Sequence, residues 1–294
     1  MLISVVMPVY NEETIIPVLY DRLNNTSMNL DDWDFEFIFV DDGSSDRSLF
    51  MLQELKKDDQ RIKVLSFSRN FGHQAAITAG MDNAAGDIII TMDSDLQDPP
   101  ELIVDIIKVW RSGCDVVHAT RRSRKGETWF KKASATLYYR MMKRLGVNIM
   151  ADTGDFRLIT REVAEALRGM NEKRLFIRGM IPWLGFKEGQ VYYDRDPRLC
   201  GVTRYSLAKM LRLAGDGVFS FSTCLPKVPF FFAIVSLLLQ KWDSMMILIS
   251  LGIIAEYALR IYDEVRGRPI YLLKNQQKRY LTPRTIVHSL KKLS

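Results

Sequence analysis

The sequence predicts an α/β protein: a mostly parallel sheet flanked by helices, followed by an amphipathic helix and a short apolar hairpin. Three observations carry this. Short apolar runs alternate with helical stretches up to about residue 119. Polar loops follow the first three runs, and an Asp-x-Asp follows the fourth. Hydrophobic residues make up 47% of the chain and charged ones 26%, enough for an ordinary packed core.

The elements follow in order. Ile3–Met7 reads as a first core strand, because it has no basic start and passes directly into Pro8-Val9-Tyr10-Asn11-Glu12, which is unlike a signal peptide. A helical stretch, Glu12–Asn24, leads to the aromatic and β-branched run Phe35–Val40. Helix Asp46–Lys57 precedes strand Ile62–Phe67, and helix Gln74–Asn83 precedes strand Asp87–Met92. That last run, Ile88-Ile89-Ile90-Thr91-Met92, is apolar enough to be buried on both faces. Helix Pro100–Arg111 and strand Asp115–Ala119 complete the alternation.

Beyond it lies a basic segment, Arg121 to Arg144, with nine Lys or Arg and one acid, Glu127. Residues 151–193 are mixed and yield no topology. A second basic cluster holds Arg195, Arg198, Arg204, Lys209 and Arg212, and Tyr205–Phe219 reads as an amphipathic helix. Two apolar runs, Val228–Leu239 and Met245–Ala255, are each shorter than the roughly 20 residues of a spanning helix. Basic residues flank both runs, which suits a short hairpin with both flanks cytoplasmic. The tail from Lys274 to Ser294 is basic and could lie on anionic lipid. The expected divisions are a catalytic domain over 1–204, an interfacial helix over 205–224, a hairpin over 225–262 and a basic tail over 263–294.

Net charge is +6 and the pI about 9.1, an excess that suits a membrane surface or a phosphorylated substrate. No nucleic-acid motif accompanies it, so nucleic acid is not an expected partner. Cys114, Cys200 and Cys224 are scattered and form neither a disulfide framework nor a zinc pattern.

The chemistry concentrates at the strand ends. Asp93 and Asp95 stand where the fourth run stops, at the edge of the sheet where α/β proteins bind ligands. Two carboxylates one residue apart can hold a hard divalent cation, Mg²⁺ or Mn²⁺, which can hold a diphosphate. A polar turn is the plain alternative. Pro8–Glu12 can wall a nucleotide base, with Asn11 also read as a helix N-cap. Asp41 or Asp42 could accept from a base or ribose. Ser68-Arg69-Asn70-Phe71-Gly72-His73 offers a helix N-terminus and an Arg near a diphosphate. Asp155 and Arg157 are either site residues or only an ion pair.

Taken together these segments resemble the family 2 glycosyltransferases of the GT-A fold. More narrowly, they resemble the polyprenyl-phosphate glycosyltransferases: bactoprenol glucosyltransferases and dolichyl-phosphate mannose synthases. The segments that carry the likeness are Pro8–Glu12, Asp41–Asp46, Ser68–Gly80, Asp93–Glu101, Gly154–Leu158 and Ser220–Thr223, with Leu251–Tyr257 and Glu264–Pro269 near the end.

The resemblance implies donor contacts at Pro8, Tyr10, Glu12, Asp42, Arg69, Asp93 and Gln97. It implies metal ligation by Asp93, Asp95 and Gln97, and catalytic roles for Asp95, Asp155 and Arg157. Arg121, Lys132, Ser134, Arg198 and Arg204 are the expected acceptor-phosphate residues. The implied reaction transfers a hexose, with glucose from UDP-glucose favoured, to undecaprenyl phosphate with inversion at the cytoplasmic membrane. A homo-oligomer, a tetramer by analogy, goes with it.

Two departures stand out. Thr203-Arg204-Tyr205 replaces the usual Ser-Lys-Tyr or Thr-Lys-Phe. The stretch between Leu239 and Met245 is too short to complete the two full spans of bactoprenol-type relatives. The rival readings are another hexose, mannose included, a transferase that extends a polysaccharide, and a membrane-associated binding protein without catalysis. The Gln-x-x-Arg-Trp motif of processive synthases is absent, as is a Gly-x-Gly-x-x-Gly after the first strand.

Overall fold

A computed structural model describes residues 1–122, 153–170, 172–173, 175–194, 228–239 and 243–274. All five expected strands are present: β1 (Leu2–Val9), β2 (Asp34–Asp41), β3 (Ile62–Ser66), β4 (Ile88–Thr91) and β5 (Val116–Arg121). The mixed region contributes two more, β6 (Thr153–Thr160) and β7 (Glu188–Tyr193). The seven form one sheet in the order β3-β2-β1-β4-β6-β5-β7. Strand β6 pairs antiparallel with β4 and β5, and every other pairing is parallel.

Helices cover both faces, so the central strands are apolar on both sides. On one face α1 (Ile16–Met28), α2 (Ser48–Asp58) and α4 (Ile103–Arg111) bury Leu19, Leu23, Leu52 and Ile106 against Val5, Met7, Phe37 and Phe39. On the other face α3 (His73–Asn83), α5 (Arg161–Gly169) and α6 (Ile177–Leu184) bury Ala76, Ile77, Val163 and Met180 against Val6, Ile38, Val40 and Ile159.

The helix starts shift from expectation, most at α1 and α4. Helix α1 begins at Ile16 rather than Glu12, because Pro17 fits the first turn but lacks the N–H that a position deeper in the helix needs. Asn11 is therefore not its N-cap. It adopts a left-handed backbone with φ 56°, and its side chain turns to the next loop. The expected helix Pro100–Arg111 divides into a 3₁₀ turn, Pro100–Leu102, and α4.

At the other end, α7 (Val228–Leu239) and α8 (Asp243–Val265) pack together. Helix α8 is longer than the apolar run that announced it: it continues through charged residues, with Arg260 paired to Glu256 one turn back at 2.9 Å. By length and composition alone, Ser244–Val265 is long and apolar enough to cross a membrane. The expected helix Tyr205–Phe219 and the tail beyond Lys274 lie outside the described residues.

Candidate active site

Parallel pairing brings the ends of β1, β2, β3 and β4 to one edge. Val9 is level with Asp41, and Asp41 with Ser66. The reversed strand β6 starts at that edge instead of ending there. Its Arg157 pairs with Thr91, so Asp155, two residues before Arg157, reaches the same edge as Asp93, two residues past Thr91. Asp93 and Asp155, far apart in sequence, therefore face one another because one strand runs backward.

His73, the first residue of α3, lies between them. Its Nε2 is 3.1 Å from Asp155 Oδ2 and 3.4 Å from Asp93 Oδ1. Burial disfavours its charge, but the hydrogen bond to Asp155 and the charge of Asp93 push its pKa up to about 9. Asp155 also accepts from Gln74 Nε2 at 3.3 Å and from Arg157 at 3.0 Å. Arg178 of α6 donates Nε to Oδ1 and a terminal nitrogen to Oδ2, both at 3.0 Å, in a two-pronged grip. Burial alone would raise the Asp155 pKa; Arg178, His73 and Arg157 hold it well below the usual carboxylate range. Arg157 is itself pushed down to about 10 by burial and donates to Gly154 O at 2.7 Å.

Exposure separates the roles in this cluster. The side chains of Asp155 and Arg157 are 5% and 3% exposed, whereas those of His73 and Arg178 are 38% and 31% exposed. His73 and Arg178 are the more accessible members of the cluster, and the buried Asp155 carboxylate holds both.

The Asp-x-Asp loop is shaped around Leu96, which is buried with a left-handed φ of 57°, a costly conformation for a non-glycine residue. Asp95 Oδ1 accepts the Gln97 N–H at 3.1 Å. Fully buried Asp98 accepts from Tyr193 O–H, which in turn accepts from Arg121 Nε at 3.4 Å. Burial and the neighbouring Asp98 push the Tyr193 pKa upward. Arg121 is thereby held beside Gly154 and the start of β6.

The residues fit a hard divalent cation. Asp93 Oδ1 is buried with no hydrogen bond among the described residues, although His73 stands 3.4 Å away. No group of three or more His, Cys, Asp and Glu is placed to hold a metal among the described residues. Two carboxylates without a closed cage match an ion of the Mg²⁺ or Mn²⁺ type that keeps positions for water and phosphate oxygens.

The loops after β1 and β2 are sewn together. Asn11 N–H donates to Ser44 Oγ at 3.0 Å, and Asn11 Oδ1 accepts the Ser45 N–H at 2.8 Å. Glu12 N–H donates to Ser48 Oγ at 2.8 Å, and Glu13 accepts the Arg47 N–H at 2.8 Å. Pro8 is buried in β1, and Tyr10 is exposed beyond it. The loop after β3 is held by Asp42, which accepts the Phe71 N–H at 2.7 Å and the Gly72 N–H at 3.0 Å. Burial raises the Asp42 pKa, and those two N–H bonds offset part of the rise. Gly43, with φ 71°, makes the approach possible, since a Cβ there would stand 2.5 Å from the backbone carbon of Arg69. Arg69 is exposed and lies over the Phe71 ring at 4.3 Å.

The fold thus gathers Asp93, Asp95, Gln97, Arg121, Asp155 and Arg157 at one edge, with the loops bearing Tyr10, Glu12, Asp42 and Arg69 beside them. Lys132, Ser134, Arg198 and Arg204 lie outside the described residues. Sequence reasoning noted His73 without giving it a role and missed Gln74 and Arg178. Arg178 stands in the region that gave no topology, and nothing in Phe176-Ile177-Arg178-Gly179 marks it.

Comparison with known proteins bears on the family and the fold. The Glycosyl transferase family 2 model matches residues 4–168. An uncharacterized glycosyltransferase, YkcC of Bacillus subtilis (strain 168), is 43% identical, the match covering 92% of this chain and 93% of that protein. A bactoprenol glucosyl transferase of Shigella phage SfV is 34% identical, covering 95% and 100% respectively. Glucosyl-3-phosphoglycerate synthase of Mycobacterium tuberculosis, solved with Mn²⁺, UDP and glucosyl-3-phosphoglycerate, superposes with a TM-score of 0.51 at 20% identity, over 74% of this chain and 77% of that one. That likeness concerns the fold, which is of the GT-A type. The sheet, its strand-end loops and these matches together make the chain a glycosyltransferase of family 2.

Proposed function

We propose that the protein transfers glucose from UDP-glucose to undecaprenyl phosphate, with inversion, at the cytoplasmic face of the membrane. The observation that carries this reading is the facing of Asp93 and Asp155 across His73, with Arg178 at its side. Such an edge offers carboxylates for a metal and exposed cations for phosphate in one place. The lipid acceptor and the glucose are suggested by the relatives named bactoprenol glucosyl transferase. The apolar helix α8 agrees with a lipid substrate.

In this reading Pro8, Tyr10, Glu12, Asp42 and Arg69 frame the nucleotide. Asp93, Asp95 and Gln97 would hold the divalent cation, which when bound supplies positive charge to the diphosphate leaving group. Arg178 adds fixed positive charge, and His73 a ring N–H donor, where negative charge gathers. Asp155 and Arg157 hold those groups in position. Arg121, with Lys132, Ser134, Arg198 and Arg204, receives the acceptor phosphate, for which paired Arg forks are well suited. A phosphate is already ionised at neutral pH, so the attack needs little general-base help. Positioning and charge carry the rate instead. The proposed divisions are catalysis in 1–204, an interfacial helix in 205–224 and membrane attachment around α7 and α8, with both flanks cytoplasmic.

The test is radiolabel transfer from UDP-glucose to undecaprenyl phosphate by the purified chain in detergent, with Mg²⁺ and with EDTA. Metal-dependent formation of an acid-labile glycolipid is expected, and Asp95→Asn should lower it by roughly a hundredfold or more. Wild-type-like turnover in that variant at matched expression would remove the metal assignment. Transfer only from another nucleotide sugar would change the sugar. Product on a polysaccharide alone would change the acceptor.

A further inference from the structure

The chain beyond α8 returns to the edge of the sheet that carries the site. Helix α8 is followed by a left-handed turn at Gly267, φ 62°, whose N–H donates to Glu264 O at 3.2 Å. Pro269 then prevents further helix. Glu264 itself accepts the Lys173 N–H at 2.8 Å, which fixes the last turn of α8 to the segment before α6.

The next residues cross to β3. Leu273 pairs with Phe67 as an antiparallel bridge, and Ser68 N–H donates to Leu272 O at 2.9 Å. The Tyr271 ring stacks on Phe67 with centroids 5.2 Å apart and planes 16° apart, and its O–H donates to Asp82 Oδ2 at 3.0 Å. Phe67 in turn meets Phe71 edge-on at 5.6 Å. One aromatic column, Tyr271–Phe67–Phe71, therefore runs from this segment into the loop after β3. Asp42 grips the same loop from its other side through the Phe71 and Gly72 amides.

We infer that residues 270–273 form a latch through which the apolar helix α8 holds the donor loop 68–72, and that Tyr271 is a positioning residue for nucleotide binding. The inference rests on the proposed reading of that loop as part of the donor site. The physical reason is entropic. A loop held on both sides before the nucleotide arrives needs little further ordering, whereas a loop released on one side must be ordered at the expense of binding.

The experiment uses the full chain in detergent as wild type, Tyr271→Ala and Tyr271→Phe. Amide hydrogen exchange reads the loop, and calorimetric titration with UDP and Mn²⁺ reads the donor site. In Tyr271→Ala the Phe71 and Gly72 amides should exchange about tenfold faster or more while β1 and β4 keep their protection. The UDP Kd should rise roughly threefold to thirtyfold, the span of indirect coupling through packed side chains. Tyr271→Phe keeps the stack and should restore both. Unchanged exchange at Phe71 and Gly72 in the Ala variant overturns the latch, and so does faster exchange spread through the sheet, which reports general loosening. A loosened loop with unchanged UDP affinity overturns the positioning role. Failure of the wild type to bind UDP strikes the donor reading itself, and the exchange data alone then decide the latch.

Discussion

At the scale of single residues, the site is a set of charges sorted by depth. Asp155 lies behind, bound by four side chains, and the half-exposed His73 and Arg178 stand in front of it. The arrangement predicts that Arg178→Ala costs roughly a hundredfold in turnover, the usual scale for removing a preorganised charge from a reacting centre. Arg178→Lys should recover only part of this, because an ammonium cannot reproduce the two-pronged grip on Asp155. Initial rates measured beside thermal midpoints check the point, and turnover within about twofold of wild type in the Ala variant would remove Arg178 from the site. Local sequence disclosed the members of the cluster unequally. Asp93 and Asp95 were legible because they follow an apolar run and share a motif. Arg178 was not, because its meaning arises only when α6 brings it to Asp155, on a strand that runs backward.

Among the elements, legibility followed periodicity. The first five strands and the helices between them were evident from alternating apolar runs, and they differ from expectation mainly at their ends. The start of α1 moved because Pro17 dictates where a first turn can lie. Strands β6 and β7 were not anticipated, since their pairing depends on partners distant in sequence. The loops between elements obey close-contact rules that a motif only hints at. Gly43→Ala would force a Cβ to within 2.5 Å of the Arg69 backbone at a φ of 71°. It should destabilise the protein by about 2 kcal/mol or more and loosen the loop after β3. Urea unfolding gives the first quantity. Stability unchanged within about 0.5 kcal/mol would show that the two loops can separate without cost.

For the whole molecule, α8 presents an apolar surface that the described residues leave uncovered. Leu248, Leu251 and Ile254 are all more than half exposed. If that surface lies in lipid, Leu251→Lys should weaken flotation with anionic vesicles by about a hundredfold, near the cost of about 3 kcal/mol for a central lysine. Undiminished flotation would place attachment elsewhere in the chain. The stitching between the first two strand-end loops bears on how such a protein can change over time. Asn11, Glu12 and Glu13 each exchange a hydrogen bond with the stretch Ser44–Ser48. The two loops are thus heritable as a pair: a chimera that borrows one from a relative and keeps the other inherits mismatched halves of a single clasp. Under the proposed reading, in which these loops frame the nucleotide, a new nucleotide preference requires trading both loops at once.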